Sequence, residues 1–390
     1  MAVGKTQPAE ERVPEPQITH LPDGETSQPV VLEPYHVDLL PEYGYVSREY
    51  LMSGVAAGHA WLEVDSQSPS AIGKIKNLDP ERYKNMHFIP GPLADEFMDT
   101  IPFMTAVTRE MLEQSYVDFK EKWWPATTQS PEIITAASYA LRSGELGIAA
   151  TRVILTGLSQ TGGVTRRFIT HSSHLRLPDG GLPFEAFIPC QSGGAALPDV
   201  PGAKIIELLG ESEFQSVRLP CGVSGQILGV SHRRADSNSF RLYEIAGMAH
   251  RESRYPSDID VKRWSVADLN GAKWSTFPNS FIYHAVFDAM ERWTSNDAIA
   301  PPCSSVIQTI GLSDEIVRDE HGNAVGGGRP NWYCGSEWDF APELLQKLYG
   351  TVANYRRLAG LAISKQIRAG FLLREDAELL RRETIESVVF

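Results

Sequence analysis

The sequence predicts an α/β fold, a mostly parallel sheet flanked by helices with a helical extension at its C-terminal end. Three observations predict it. Short candidate strands, Arg152–Thr156, Phe184–Ile188, Lys204–Leu209 and Phe240–Ala246, are spaced along the chain and alternate with helical patterns. The first of them, Arg152–Thr156 (RVILT), is a β-branched apolar run that suits a strand covered on both faces. Residues 341–390 carry only helical stripes.

In chain order, residues 1–30 read as a disordered tail, Pro-rich, charged and without apolar period. Order is expected from Val31, with short extended segments broken by Pro41 and Gly44. His59–Val64 is the next candidate strand, and a helix is expected around Thr105–Lys122. Trp123 and Trp124 read as buried packing. Pro131–Arg142 is predicted as a helix with its proline at the start and Ile134, Ala137 and Leu141 on one side. The strand Arg152–Thr156 is followed by a turn, Gly157–Gln160, and a helix over Thr161–His174. Ile282, Ala285, Val286, Ala289, Met290 and Trp293 form a helical stripe. Val352, Tyr355, Ala359, Ala362 and Ile363 form another, and Leu373, Ala377 and Leu380 a third. Gly350 and Gly370 punctuate them. The expected organisation is a tail (1–30), one α/β domain (31–340) and a helical extension packed on it (341–390).

The bulk numbers exclude several classes. A net charge of −13 argues against a nucleic-acid or anionic-membrane surface, which needs clustered Lys and Arg. No apolar run approaches the roughly 18 residues of a spanning helix. No secretory signal is visible at the N-terminus, so a cytoplasmic location is expected. Cys190, Cys221, Cys303 and Cys334 lie far apart, without a C-x-x-C pair, and read as reduced thiols. No metal or cofactor motif is present: Gly326-Gly327-Gly328 lacks the strand, helix and lysine of a phosphate loop.

The chemistry concentrates at Gly157-Leu158-Ser159-Gln160-Thr161-Gly162-Gly163. A serine hydroxyl is a poor nucleophile until a base takes its proton. A tight strand-to-helix turn exposes the oxygen and sets the next N–H, here that of Gln160, at a helix N-terminus as an oxyanion donor. Thr161 stands where the generic pattern has glycine. The partners should follow later strands in the order acid, then histidine. Lys204–Leu209 leads into Gly210-Glu211-Ser212-Glu213, and Phe240–Ala246 into Gly247-Met248-Ala249-His250. His250 is the candidate base, and Glu213, with Glu211 as alternative, the acid that orients its ring. His171 and His174 read as helix-surface groups, His284 as a packing residue and Cys190 as the start of a post-strand loop.

With these motifs in place the chain resembles the alpha/beta hydrolase domain family whose serine turn reads G-x-S-Q-S/T. LPEYGYVSREYLMSGVA, LDPERY, GLSQTGG, RLYEIAGMAH, VRDEHGNAVGG and AGFLLREDAELL fall in the family's order. The resemblance implies an α/β-hydrolase fold, Ser159 as nucleophile, His250 as base and a carboxylate at Glu213 or Glu211. It also accounts for Thr161, a small hydroxylic position in the family. It implies hydrolysis of a carboxylic ester or lactone, a small-molecule substrate and no cofactor. One departure stands out. The family carries a long stretch with early strands and an oxyanion loop where Ala56-Ala57 here runs into Gly58-His59. A smaller shortening follows Gly328. Three readings are open: a shortened enzyme with a substitute donor, a degenerate hydrolase acting as a binding module, or a chain that has lost core segments. The last leaves an open sheet edge. An acyltransferase could use the same triad. Oligomeric state is not legible.

Overall fold

The computed structural model describes residues 25–26, 30–34, 60–64, 79–85, 124–158, 160–192, 194–210, 217–218, 224–225, 233–245, 247–250, 252, 273–295, 299–303, 335–337, 339–386 and 388. The extended segments expected after Pro34 and the helix expected around Thr105–Lys122 lie outside them. The chain falls into two compact units, residues 1–192 with 200–203, and residues 193–199 with 204–390.

The first unit is built on four parallel strands. In chain order its strands are β1 (Glu25–Thr26), β2 (Val30–Pro34), β3 (Ala60–Val64), β4 (Ala149–Ala150), β5 (Val153–Leu158) and β6 (Ala186–Cys190). The sheet order is β6-β5-β2-β3. Ile154 pairs with Ala186 and Leu158 with Cys190, while Val30 lies between Val153 and Ala60. Every residue of β6, and all of β5 up to Gly157, is buried. That matches strands covered on both faces.

The expected tail is corrected at its end. Glu25–Thr26 pairs in parallel with β4, and Val30 opens β2. The Pro-rich, polar composition hides these strands because their partners come from far along the chain.

The helices of this unit are α1 (Pro80–Tyr83), α2 (Trp124–Ser143) and α3 (Gln160–Arg167). Asp79 caps α1, its carboxylate accepting the N–H of Arg82 at 3.0 Å. Pro131, expected at a helix start, lies inside α2. A proline costs an interior helix one backbone hydrogen bond, and the helix runs through it from Trp124. Arg142, near the C-terminal end of α2, binds both carboxylate oxygens of Glu185 at 2.8 and 2.6 Å. Glu185 in turn accepts the N–H of Val153 at 2.7 Å, tying α2 to the start of β5. After α3 the chain widens into a π-turn, Phe168–Ser172. Phe168 packs edge-on against Phe184, ring centroids 5.1 Å apart, and both meet Phe187 of β6.

The second unit holds β7 (Lys204–Gly210), β8 (Val217–Arg218), β9 (Ser224–Gly225), β10 (Phe240–Ile245), β11 (Lys273–Trp274) and β12 (Ser336–Glu337). β7 and β10 run parallel from Ile205 opposite Phe240 to Gly210 opposite Ile245. Helix α4 (Asn279–Thr294) buries Ala285, Val286, Ala289, Met290 and Trp293 of the expected stripe. The C-terminal helices are α5 (Pro342–Tyr349), α6 (Val352–Ala369) and α7 (Arg374–Leu380). Gly370 closes α6 with φ 80°, a left-handed conformation that glycine adopts freely. Phe281 of α4, Ile363 of α6, Leu372, Ala377 of α7 and Ile385 form one buried cluster, so α6 and α7 share a core with α4. His284 of α4 meets the Asp376 carboxylate at 2.9 Å. Among the described residues, no helix is long and apolar enough to cross a membrane.

Candidate active site

The serine turn is made by β5 and α3. β5 runs two residues beyond the predicted strand, to Leu158, and α3 begins at Gln160. One residue, Ser159, separates them and lies outside the described residues. The turn is tight enough to demand glycine: a Cβ on Gly157 would sit 2.3 Å from the carbonyl oxygen of Thr161 and 2.8 Å from the nitrogen of Gly162. Thr161 is fully buried. Its hydroxyl accepts the N–H of Leu158 and donates to the carbonyl of Leu158, both at 2.8 Å. Gly162 lies against the end of β6, where a Cβ would meet the carbonyl oxygen of Cys190 at 2.5 Å and the Ser192 Cβ at 2.6 Å.

Gln160 is the first residue of α3. Its N–H is one of the four at a helix start that have no partner within the helix. Arg166, in the last turn, is buried, and burial pulls its pKa down to about 10, so it is still a cation at neutral pH.

His250 belongs to the second unit and is buried. It follows β10 through Gly247, whose φ of 77° turns the chain. The N–H of Met248 reaches the carbonyl of Ile245 at 3.4 Å. Both flanks of His250 are tied to the start of α4. Asn279 donates its side-chain N–H to the carbonyl of Ala249 at 2.9 Å. The Glu252 carboxylate accepts the N–H of Ser280 at 2.7 Å, a favourable place for negative charge at a helix start. Gly335 closes the other side, with φ 68° and room for no side chain: a Cβ would lie 2.9 Å from the Ala249 Cβ and 2.8 Å from the Ser275 Cβ.

Glu211 and Glu213 lie outside the described residues. Their loop follows Gly210, which pairs with Ile245. The acid-bearing loop and the histidine-bearing loop therefore leave the same edge of the β7–β10 pair, the carboxyl edge where open α/β sheets hold their ligands.

The remaining candidates separate. His171 and His174 are exposed. Cys190 is buried and Cys303 exposed, both as reduced thiols. Cys221, Cys334 and Gly326-Gly327-Gly328 lie outside the described residues. Among the described residues, no group of three or more His, Cys, Asp or Glu side chains could hold a metal ion. Sequence reading missed Asn279, Glu252 and Gly335. Only Glu252, two residues past His250, had a positional signal.

A parallel sheet whose strand passes through a glycine-tight turn into a helix, with a later strand ending in a histidine loop, defines an α/β-hydrolase-type fold. Residues 55–382 match the family model described as an alpha/beta hydrolase domain, and the chain belongs to that family. No curated protein and no solved structure matches it.

Proposed function

We propose that this chain is a serine hydrolase that cleaves a carboxylic ester or lactone through an acyl-Ser159 intermediate. His250 takes the proton of the Ser159 hydroxyl as its oxygen bonds to the substrate carbonyl carbon. The oxyanion that forms is held by the N–H of Gln160. The C–O bond to the alcohol then breaks, and His250 returns the proton to the leaving oxygen. Water, deprotonated by His250, then attacks the acyl carbon; the bond to the Ser159 oxygen breaks, that oxygen takes the proton back from His250, and the acid is released. Glu213, or Glu211 in its place, keeps the imidazole in the required tautomer and stabilises its charged form. Each positioned proton transfer is worth about 10²–10⁴ in rate.

The observation behind this is the turn at Gly157–Gly162, where strand, glycine, one intervening serine and helix start follow with no space to spare. β2 supports the shortened-enzyme reading. It runs parallel to β5, so the chain leaving Pro34 leaves from the same sheet edge as the chain leaving Leu158. A second oxyanion N–H, from a substitute donor, is typically worth about 10²–10³ in turnover.

A fluorophosphonate probe tests the proposal. Wild-type protein should label at Ser159, and Ser159→Ala and His250→Ala should abolish labelling. Folded wild-type protein that never labels would overturn it in favour of a binding module. Hydrolysis of an ester and lactone panel, with and without an added alcohol, then separates hydrolase from acyltransferase.

A further inference from the structure

We infer that Gln191 is a specificity-determining residue at the serine turn, hydrogen-bonding a hydroxyl group on the substrate; this rests on the proposed Ser159 reaction. Leu158 pairs with Cys190 at the ends of β5 and β6. Gln191 is thus the first residue beyond the paired end of one strand, as Ser159 is of the other. The segment 190–192 lies on the first turn of α3, since a Cβ on Gly162 would strike both Cys190 and Ser192.

Gln191 carries two separate costs there. Its backbone is left-handed, φ 45°, which no other non-glycine residue shows among those described. Long side chains seldom take that conformation, and where they do the strain clusters at binding and catalytic sites. Its side chain is also almost wholly buried, at 1% exposure, and neither Oε1 nor Nε2 has a hydrogen-bond partner. The Ser192 hydroxyl beside it is buried and unpartnered as well. Buried polar groups in native proteins are nearly always paired, and three unpaired atoms on two consecutive residues mark a place that a ligand completes.

The donor set selects the ligand's chemistry. A carboxamide offers an acceptor and a donor side by side, and Ser192 adds a hydroxyl that does either. A carboxylate itself donates nothing to Oε1, and an ammonium accepts nothing from Nε2. An alcohol hydroxyl uses both, donating to Oε1 while accepting from Nε2. The substrate class is therefore a hydroxylated ester or lactone.

The test compares matched substrates, so that general losses cancel. Nitrophenyl butyrate is set against its β-hydroxy counterpart, and propyl butyrate against glyceryl butyrate. Wild-type kcat/KM should favour a hydroxylated member by ~10²-fold, and Gln191→Gly should bring that ratio to within about threefold of unity, as expected when a site built for a hydroxyl loses its partner. Glycine accepts φ 45° without strain, so this variant removes the amide while relieving the backbone. Gln191→Met, which keeps the bulk, should lose the ratio too. Calorimetric binding of the same pairs to Ser159→Ala protein reads the preference without chemistry. A preference that persists there while wild-type protein fails to label at Ser159 separates failure of the reaction from failure of the site. A ratio unchanged in both Gln191 variants, with a lowered melting temperature, means that the amide holds only a buried water and overturns the inference. So does wild-type protein that shows no hydroxyl preference in turnover or binding.

Discussion

The Thr161 hydroxyl and the backbone of Leu158 form a closed pair, one hydrogen bond in each direction at 2.8 Å, around the residue between strand and helix. A threonine at a position where the general pattern has glycine thus acts as a clasp on the turn.

Removing that clasp should cost both stability and reactivity. Thr161→Val keeps the volume but leaves the N–H and C=O of Leu158 without this partner, and an unpaired buried group costs about 1–3 kcal/mol. Urea denaturation should show a loss in that range. Phosphonate labelling of the folded protein should slow, whereas Thr161→Ser should retain most of it.

Gly157→Ala should be worse. The added methyl would meet backbone atoms of Thr161 and Gly162, which cannot swing away as a flexible side chain could. Overpacking typically costs about 1–3 kcal/mol, occasionally more. Labelling at Ser159 should be lost before cooperative unfolding is lost, because the helix start must move to admit the methyl.

Asn279→Ala tests the support of the histidine loop. It frees the carbonyl of Ala249, a buried residue, and should lower stability by about 1–3 kcal/mol. If the loop positions His250 as proposed, kcat should fall with little change in KM. An equal loss in stability with unchanged kcat would limit Asn279 to a structural role.

Asp376→Ala reports on the C-terminal helices. The carboxylate meets the His284 ring across the α4–α7 contact. Hydrogen bonds to charged groups contribute about 1.5–3 kcal/mol. A fall in melting temperature is expected, with the folded fraction still labelling at Ser159.

Tyr243 gives a pH signature. Its hydroxyl donates to the carbonyl of Pro302 at 2.7 Å, and burial pushes the phenol above the usual tyrosine range. A folded-state pKa above the unfolded value of roughly 10 means that the contribution is fully present below pH 10. It is lost as pH rises from there toward the folded pKa, because the unfolded chain releases the proton first. Wild-type protein should therefore exceed Tyr243→Phe in stability at pH 8, and the gap should narrow above pH 10.

What was legible in the sequence was what local periodicity encodes. The strands β5, β6, β7 and β10, the stripe of α4 and the glycine closing α6 all follow from neighbours within a few residues. What escaped depends on distant partners. β2 is a strand because Val30 finds Val153 and Ala60, and the Pro-rich surroundings hid that. Pro131 reads as a helix start because a proline fits the first turn best, yet α2 runs through it. Asn279 and Gly335 meet Ala249 only through tertiary packing. The loop at Gln191 could be expected after a strand, but nothing in its composition announces a left-handed glutamine.

β2 occupies an interior position of the first unit's sheet, with β3 on one side and β5 on the other, although it precedes the stretch that matches the family. A recombinant fragment cut at residue 55 would keep every family motif from there on and lose the backbone that joins β3 to the serine-bearing strand. A fragment that is to keep this sheet therefore has to start upstream of Val30.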